Sequence, residues 1–370
     1  MTFSHLPTPS LLLDRSRLET NIARMASRMA ALGVAFRPHL KTAKSAEIAA
    51  LVLAGQFGGI TVSTVREAEY FAAHGITDIL YAVGIAAAKL DRLAAVQAGG
   101  ARVSVITDSV AGARACAAHA AALGAAFDVL IEIDCGEGRA GVTPDADALL
   151  DIAAVLAAGP GTRLAGVLTH AGHAYACRTP EDVAKVAEAE RSAAVTAARR
   201  LRAAGHVCPT VSVGSTPTVL LGGARDGVTE VRAGVYMFGD LSQVELGTCR
   251  EEDIAVSVLA TVIGHRPEHN TLLIDAGALA LSKDVGTRLG PRDTGYGLLD
   301  GWPGLRVERV YQEHGVVTAS EPLPYDALPI GARVRVLPNH SCMTGAMYDA
   351  YHVTDGGAEV VAVWPRVNGW

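Results

Sequence analysis

Gly33-Val34-Ala35-Phe36-Arg37-Pro38-His39-Leu40-Lys41-Thr42-Ala43-Lys44 is a β-type run that reaches a lysine and gives way to the helix-forming run Ser45–Leu53. The same change of texture repeats outward from here to Asp240. The candidate strands are Val34–Leu40, Gly59–Thr64, Ile79–Val83, Arg102–Thr107, Phe127–Asp134, Leu164–His170, Thr210–Gly214 and Glu230–Phe238. Alanine-rich helical runs lie between most of them, among them Val65–His74, Ala86–Gln97, Ser109–Leu123, Ala146–Ala158 and Pro180–Ala204. Eight strands in βα alternation over this length read as a (β/α)8 TIM barrel, with a doubly wound open sheet as the alternative.

After Leu241 the helical texture stops. Ile254–Gly264, Thr271–Asp275, Leu305–Gln312, Gly315–Thr318, Arg333–Leu337, Ala350–Thr354 and Glu359–Val363 are short β-type runs separated by turns, which predicts an all-β C-terminal domain. The expected division is residues 8–245 for the barrel and 246–370 for the β domain, with Met1–Pro7 able to pack on the latter. Ser10–Leu13 is strand-like and fits either part.

At 370 residues, 50% hydrophobic and 19% charged, the chain has ample material for a core and is not generally disordered. A net charge of −6 offers no electrostatic footprint for nucleic acid or an anionic membrane. Mixed-sign helices such as Glu181 to Arg202 read as solvated outer faces. Met1 to Arg17 lacks the pattern of a signal peptide, and no apolar run approaches the ~20 residues of a membrane span. A cytoplasmic protein with no membrane or nucleic-acid partner is the expectation. Cys116, Cys135, Cys177, Cys208, Cys249 and Cys342 form no CxxC pair and no disulfide framework.

Chemistry gathers at the strand ends. Lys41 would project from the rim where barrel enzymes build their sites, and lysine forms Schiff bases with carbonyl cofactors. The chain has five lysines against twenty-seven arginines, and two of the five fall in this loop. A solvated lysine is the plainer alternative. Gly136-Glu137-Gly138-Arg139-Ala140-Gly141 fits GxGxxG, but Thr143-Pro144-Asp145 delays the next helix, so a dinucleotide site is rejected. Those glycines instead make a tight loop presenting Arg139. Thr169-His170-Ala171-Gly172-His173-Ala174-Tyr175 puts two histidines and a tyrosine at another strand end. Val213-Gly214-Ser215-Thr216-Pro217 and Arg232-Ala233-Gly234-Val235 belong to the seventh and eighth strands, where barrels often bind phosphate; a simple Gly-Ser turn is the alternative. In Pro338-Asn339-His340-Ser341-Cys342, an extended backbone would aim residues i and i+2 the same way, making His340 and Cys342 a nitrogen–sulfur half-site suited to zinc.

Taken in order, these five motifs resemble the D-serine dehydratase and D-threonine aldolase family, whose members are alanine-racemase-type, fold type III pyridoxal-phosphate enzymes. The resemblance runs along nearly the whole chain. It implies that Lys41 carries pyridoxal 5′-phosphate as a Schiff base and moves the substrate's Cα proton. Tyr175, Thr216 and the backbone at Gly234 and Val235 would contact the cofactor, with phosphate near Ser215 and Thr216. Arg139 would lie near the phenolic oxygen and Arg232 would face the pyridine nitrogen. His340 and Cys342 match the metal ligands of the dehydratase branch.

The implied reaction is metal-assisted loss of water from a D-3-hydroxyamino acid (D-serine, D-threonine or D-threo-3-hydroxyaspartate), giving a 2-oxo acid and ammonia. The alternative is retro-aldol cleavage of the D-threonine type, with His170 or His173 deprotonating the hydroxyl; an amino-acid racemase ranks third. Cys342 favours Zn2+ and dehydration, whereas Mn2+ or Mg2+ would accompany the aldolase. A homodimer is implied, with the site where barrel and β domain meet. Two positions depart from the family: Val235 where asparagine is common, and Leu168 where some members place a tyrosine.

Overall fold

The computed structural model describes residues 2–56, 59–286 and 292–370, apart from the Ser4 side chain. It divides into two compact units. One is formed by residues up to Arg24 with Val235–Asn368, the other by Met25–Gly234 with Gly369–Trp370.

Strand β1 (Ser10–Asp14) leads into helix α1 (Arg15–Leu32). The second unit then alternates β2 (Ala35–Pro38), α2 (Ala46–Leu53), β3 (Gly59–Val62), α3 (Val65–Ala73), β4 (Asp78–Gly84), α4 (Leu90–Ala98), β5 (Arg102–Thr107) and α5 (Val110–Ala122). It continues through β6 (Phe127–Ile133), α6 (Ala148–Ala158), β7 (Thr162–Thr169), α7 (Pro180–Ala203), β8 (Thr210–Val213), α8 (Thr216–Leu221) and β9 (Glu230–Ala233). The eight parallel strands β2 to β9 form one sheet in the order β2-β9-β8-β7-β6-β5-β4-β3. Its two edges meet through a bridge between His39 and Thr61, with Leu40 N donating to Thr61 O at 2.9 Å. The sheet is a nearly closed barrel, and the open-sheet alternative falls.

Strands buried on both faces are mostly apolar, and β6 is buried at all seven residues, its two carboxylates answered by arginines, Asp128 by Arg102 and Arg163 and Glu132 by Arg139. Leu80, Ile106, Leu130, Ala165 and Leu168 pack together as one cluster. Between Val129 and Leu130 the register of β6 with β7 slips by one residue, at Gly166. Gly166 has φ +143°, and a Cβ there would come 2.1 Å from Thr210 O, so the bulge needs glycine. Strand ends pass into helices through side-chain caps: Thr64 on Glu67 N, Ser109 on Gly112 N, Thr179 on Asp182 N and Ser215 on Thr218 N.

In the other unit come α9 (Leu241–Glu245), β10 (Val256–Arg266), β11 (Thr271–Ile274), α10 (Ala278–Leu281), β12 (Leu298–Leu299) and β13 (Arg306–Val310). They are followed by β14 (Gly315–Thr318), β15 (Arg333–Leu337), α11 (Ser341–Thr344), β16 (Ala350–Thr354) and β17 (Val360–Pro365). The sheet order is β11-β14-β13-β12-β15-β10-β1-β16-β17, and β10 also pairs with β11. Six strands therefore close on themselves, while β1, β16 and β17 extend the sheet.

Four expectations change. Strand β1 pairs antiparallel with β10 and parallel with β16, so residues 8–24 do not group with the barrel as the 8–245 boundary supposes. Its apolar run is buried in mid-sheet, a pattern that would suit a barrel strand equally. Residues 235–245 also group with the β unit, because β9 ends at Ala233 and a 3-10 turn, Val235–Met237, follows where strand was expected. Helix α1 and the two-residue β12 are additions; α1 buries Leu18, Met25 and Met29 at helical spacing. Finally, His340 and Cys342 do not share an extended run: β15 stops at Leu337 and His340 is the extended N-cap of the helical turn α11.

Candidate active site and metal centre

In the barrel unit the strand-end residues converge. Lys41 follows β2 as an exposed residue between the buried Leu40 and Thr42, and its amide donates to His39 Nδ1 at 3.4 Å. Burial pushes the His39 pKa well down, and the positive charges of Lys41 and Arg232 act the same way. Lys44, at φ +53°, pairs with the buried Glu67, which also accepts from Ser63 N at 2.8 Å.

His170 donates from Nδ1 to Gly214 O at 2.8 Å, which assigns the proton to Nδ1 and the lone pair to Nε2. Burial first, then the Lys41 charge, pushes its pKa down to about 3, so the ring is neutral. His173 sits in the 3-10 turn Gly172–Ala176, and its buried Nδ1 has no hydrogen-bond partner among the described residues. Tyr175, on the same turn, is exposed. Arg139 lies 3.7 Å from both Glu132 and Glu137, and Glu137 accepts from Gly172 N at 3.1 Å, tying the β6 loop to the β7 loop.

Ser215 and Thr216 are buried at the start of α8, where Ser215 forms a capping box with Thr218. Gly214 has φ +138°, and a Cβ there would come 2.0 Å from Arg232 O. At Gly234 a Cβ would lie 2.8 Å from His39 O, so the loop after β9 presses on the loop bearing Lys41. Val235 is buried at the start of the following turn.

Arg232 is buried and doubly held, Nη1 to Ser212 Oγ and Nη2 to Thr169 O, each at 2.6 Å. Ser212 in turn donates to Glu230 at 2.6 Å, Glu230 accepts from Arg37 Nε at 2.7 Å, and Arg37 Nη1 reaches Asp78 at 3.0 Å. This alternation of charge compensates the cost of burying a guanidinium. Burial still lowers the Arg232 pKa, with Glu230, Glu190 and Glu132 opposing.

Sequence reasoning passed over Glu190. It lies on α7, whose mixed charges read as a solvated face, yet it is 1% exposed. Its Oε1 accepts from Ala171 N at 3.1 Å and from Gly214 N at 2.9 Å. The available signal was a carboxylate on the apolar stripe of Val183, Ala187, Ala194 and Leu201.

In the β unit His340 and Cys342 meet side chain to side chain, although by another backbone geometry than the expected strand. His340 Nδ1 lies 2.7 Å from Asp284 Oδ2, so Nε2 is the nitrogen a cation would use. Burial lowers the His340 pKa, but Asp284 and Cys342 outweigh it and push it up to about 11. Asp240 Oδ2 accepts from Ser341 N at 3.0 Å and its Oδ1 from Gln243 N at 2.9 Å, fixing the ligand turn. Asn339 is anchored by Thr294 at 2.9 Å and to Gly295 O at 2.8 Å. Neither Asp284 nor Asp240 stands near His340 in sequence. Among the described residues no group of three side chains could hold a metal ion, so His340 and Cys342 remain a candidate pair.

Both sets of residues fit the groups the sequence implies. A strand-end lysine, a buried arginine, two buried hydroxyls and the orphaned His173 nitrogen suit a small anionic carbonyl cofactor. An imidazole oriented by a carboxylate, next to a thiol, suits a borderline-soft divalent cation.

The chain matches the alanine racemase N-terminal domain family over residues 13–242 and a serine dehydratase domain family over residues 255–354. It is 48% identical over 381 residues to the D-threo-3-hydroxyaspartate dehydratase of Delftia sp. (strain HT23), covering 100% of this chain and 99% of the relative. Identity to the D-threonine aldolase of Arthrobacter sp is 33% over 367 residues, covering 98% and 92%. A solved D-threo-3-hydroxyaspartate dehydratase, a cysteine-to-alanine variant in the metal-free form, superposes with a TM-score of 0.96 at 46% identity, covering 100% of both chains.

Proposed function

The chain belongs to the alanine racemase-like, fold type III pyridoxal-phosphate family that carries a D-serine dehydratase domain, and from that premise we propose a lyase that removes water from a D-3-hydroxyamino acid to give a 2-oxo acid and ammonia. D-threo-3-hydroxyaspartate is the first substrate to try, since the 48%-identical relative is named for it. D-serine and D-threonine follow.

The observation that carries the reading is the His340–Cys342 pair oriented by Asp284. A thiolate and an imidazole select zinc, and two protein ligands leave positions for a substrate hydroxyl. Pyridoxal phosphate would supply the electron sink at Cα, and the cation would act as Lewis acid on the β-hydroxyl.

The remaining work falls to this chain's residues. Lys41 Nζ moves the Cα proton. Arg232, a cation held by Ser212 and Thr169 O, would face the cofactor's ring nitrogen and keep its own proton. Ser215 and Thr216 hold the phosphate, with the backbone at Gly234 and Val235 alongside. Tyr175 and Arg139 complete the binding set. His170, neutral and with its lone pair on Nε2, is an acceptor at the β7 strand end. His173, with a buried nitrogen to satisfy, is a second polar contact there. All the proposed cofactor residues but Val235 belong to the Met25–Gly234 unit, and the proposed metal ligands to the Val235–Asn368 unit. A cytoplasmic homodimer is part of the same proposal. Among the described residues no helix is long and apolar enough to cross a membrane.

Product analysis tests it. Purified protein supplied with pyridoxal phosphate and zinc is given D-threo-3-hydroxyaspartate, D-serine and D-threonine, each against its L-form. A 2-oxo acid and ammonia from the D-forms, suppressed by EDTA and restored by zinc, is the expected result. Glycine with glyoxylate or another aldehyde would establish the aldolase instead.

A further inference from the structure

Helix α7 buries Val183, Ala187, Ala194, Val195 and Leu201, and Glu190 is the charged residue among them. Apolar neighbours suffice to seat the helix, so the carboxylate needs another reason. Its partners supply one. A single oxygen, Oε1, accepts from Ala171 N and Gly214 N, amides that belong to the separate loops after β7 and β8. The Thr218 hydroxyl bonds the same carboxylate. His170, next to Ala171, donates to Gly214 O, so the Gly214 residue is gripped at both its N–H and its C=O. Glu190, Ala171, His170 and Gly214 thus form a closed ring of contacts. Gly214 cannot retreat, because β9 lies against its α-carbon.

We infer that Glu190 is a positioning residue, fixing the loops after β7 and β8 to one another so that His170 and the Gly214–Thr216 segment are preformed to receive a phosphate group. The identity of that phosphate rests on the proposed cofactor; the pinning of the loops does not. A buried carboxylate without hydrogen-bond donors would be expelled or neutralised, and here the site loops themselves are the donors. Holding a binding segment before the ligand arrives reduces the ordering cost of binding.

The test compares the wild-type chain with Glu190→Leu and Glu190→Gln. Leucine fills similar volume but accepts nothing, whereas glutamine keeps an oxygen that can take both amides without the charge. Hydrogen exchange is read on residues 169–173 and 213–218 of the cofactor-free proteins, and pyridoxal phosphate is titrated into each. Glu190→Leu is expected to raise exchange in both segments together and to weaken cofactor binding by about tenfold or more, with Glu190→Gln restoring both. Unchanged exchange in the two segments, or a uniform rise across the whole barrel, would overturn the inference. So would Glu190→Gln failing as Glu190→Leu does, since charge and not position would then matter. If Glu190→Leu does not fold, Glu190→Asp, too short to reach both amides, is read the same way. A wild-type chain that takes up no pyridoxal phosphate breaks the cofactor reading alone, and the exchange measurement still decides on Glu190.

Discussion

His170 and His340 are the same side chain in opposite surroundings. Burial and neighbouring cations push His170 down to about 3, while Asp284 and Cys342 push His340 up to about 11. Surroundings that favour a proton on an imidazole also favour a metal cation in its place. Surroundings that refuse one keep the ring neutral beside Lys41 and Arg232. The proposed barrel site is thus flanked by the cations Lys41 and Arg232, as an anionic group would require, and the His340–Cys342 turn is backed by Asp284 and Asp240, as a cation would require.

If that contrast holds, variants should separate the two. The largest effect is expected from Lys41→Ala: turnover falls by ~10³-fold or more, and the visible absorbance of bound cofactor disappears, with zinc binding unchanged. Absorbance and zinc stoichiometry measured on one sample check it; loss of zinc as well would break the contrast.

Cys342→Ala should do the reverse, keeping the cofactor band while losing metal and roughly 10²-fold or more in rate. Full activity in EDTA would remove the metal from the reaction. Asp284→Asn is milder, because the ligands stay and only the orientation of His340 suffers. Zinc affinity, read by competition with a chelator, should fall by about 10- to 100-fold with cofactor binding intact.

The smallest effect is a stability slope. The folded pKa of His170 lies below that of free histidine, so the unfolded chain takes up a proton that the folded chain refuses. Stability is therefore lost as pH falls from about 6.5 towards 3 and is level above neutrality. Thermal melts at pH 7.5 and 5.5 should show His170→Gln losing less than wild type. Parallel losses in the two proteins would show that His170 is not held neutral.

Sequence legibility followed the same division. The barrel strands were readable because parallel strands buried on both faces are rich in apolar and β-branched residues, and Arg102–Thr107 matches to the residue. Lys41, His170, Ser215 and Arg232 were readable because they stand at those strand ends. Glu190 and Asp284 were not. Each acts on a partner across a gap in sequence: Gly214 lies 24 residues from Glu190, and His340 lies 56 from Asp284. No local pattern marks such a pair. His340 and Cys342 were identified as a pair through the wrong backbone, since two side chains can meet from an N-cap and a helical turn as well as from a strand. Strand β1 could not be assigned because a run buried in mid-sheet looks the same in either kind of sheet.

That strand has a further consequence, for the order of assembly. The barrel unit is built almost entirely from the continuous segment Met25–Gly234, whose neighbours in space are mostly neighbours along the chain. Strand β1 is hydrogen-bonded between β10 and β16, and Leu12 faces His352. During synthesis this strand must wait, apolar and unpaired, until Val256–Leu259 of β10 emerge, and its second edge is covered only when β16 follows beyond residue 350. Segments waiting this long are exposed to wrong pairing. Removing Ser10–Asp14 would take away the strand that β10 and β16 share and leave their edges open to wrong pairing, in a unit made almost wholly from residues beyond 234.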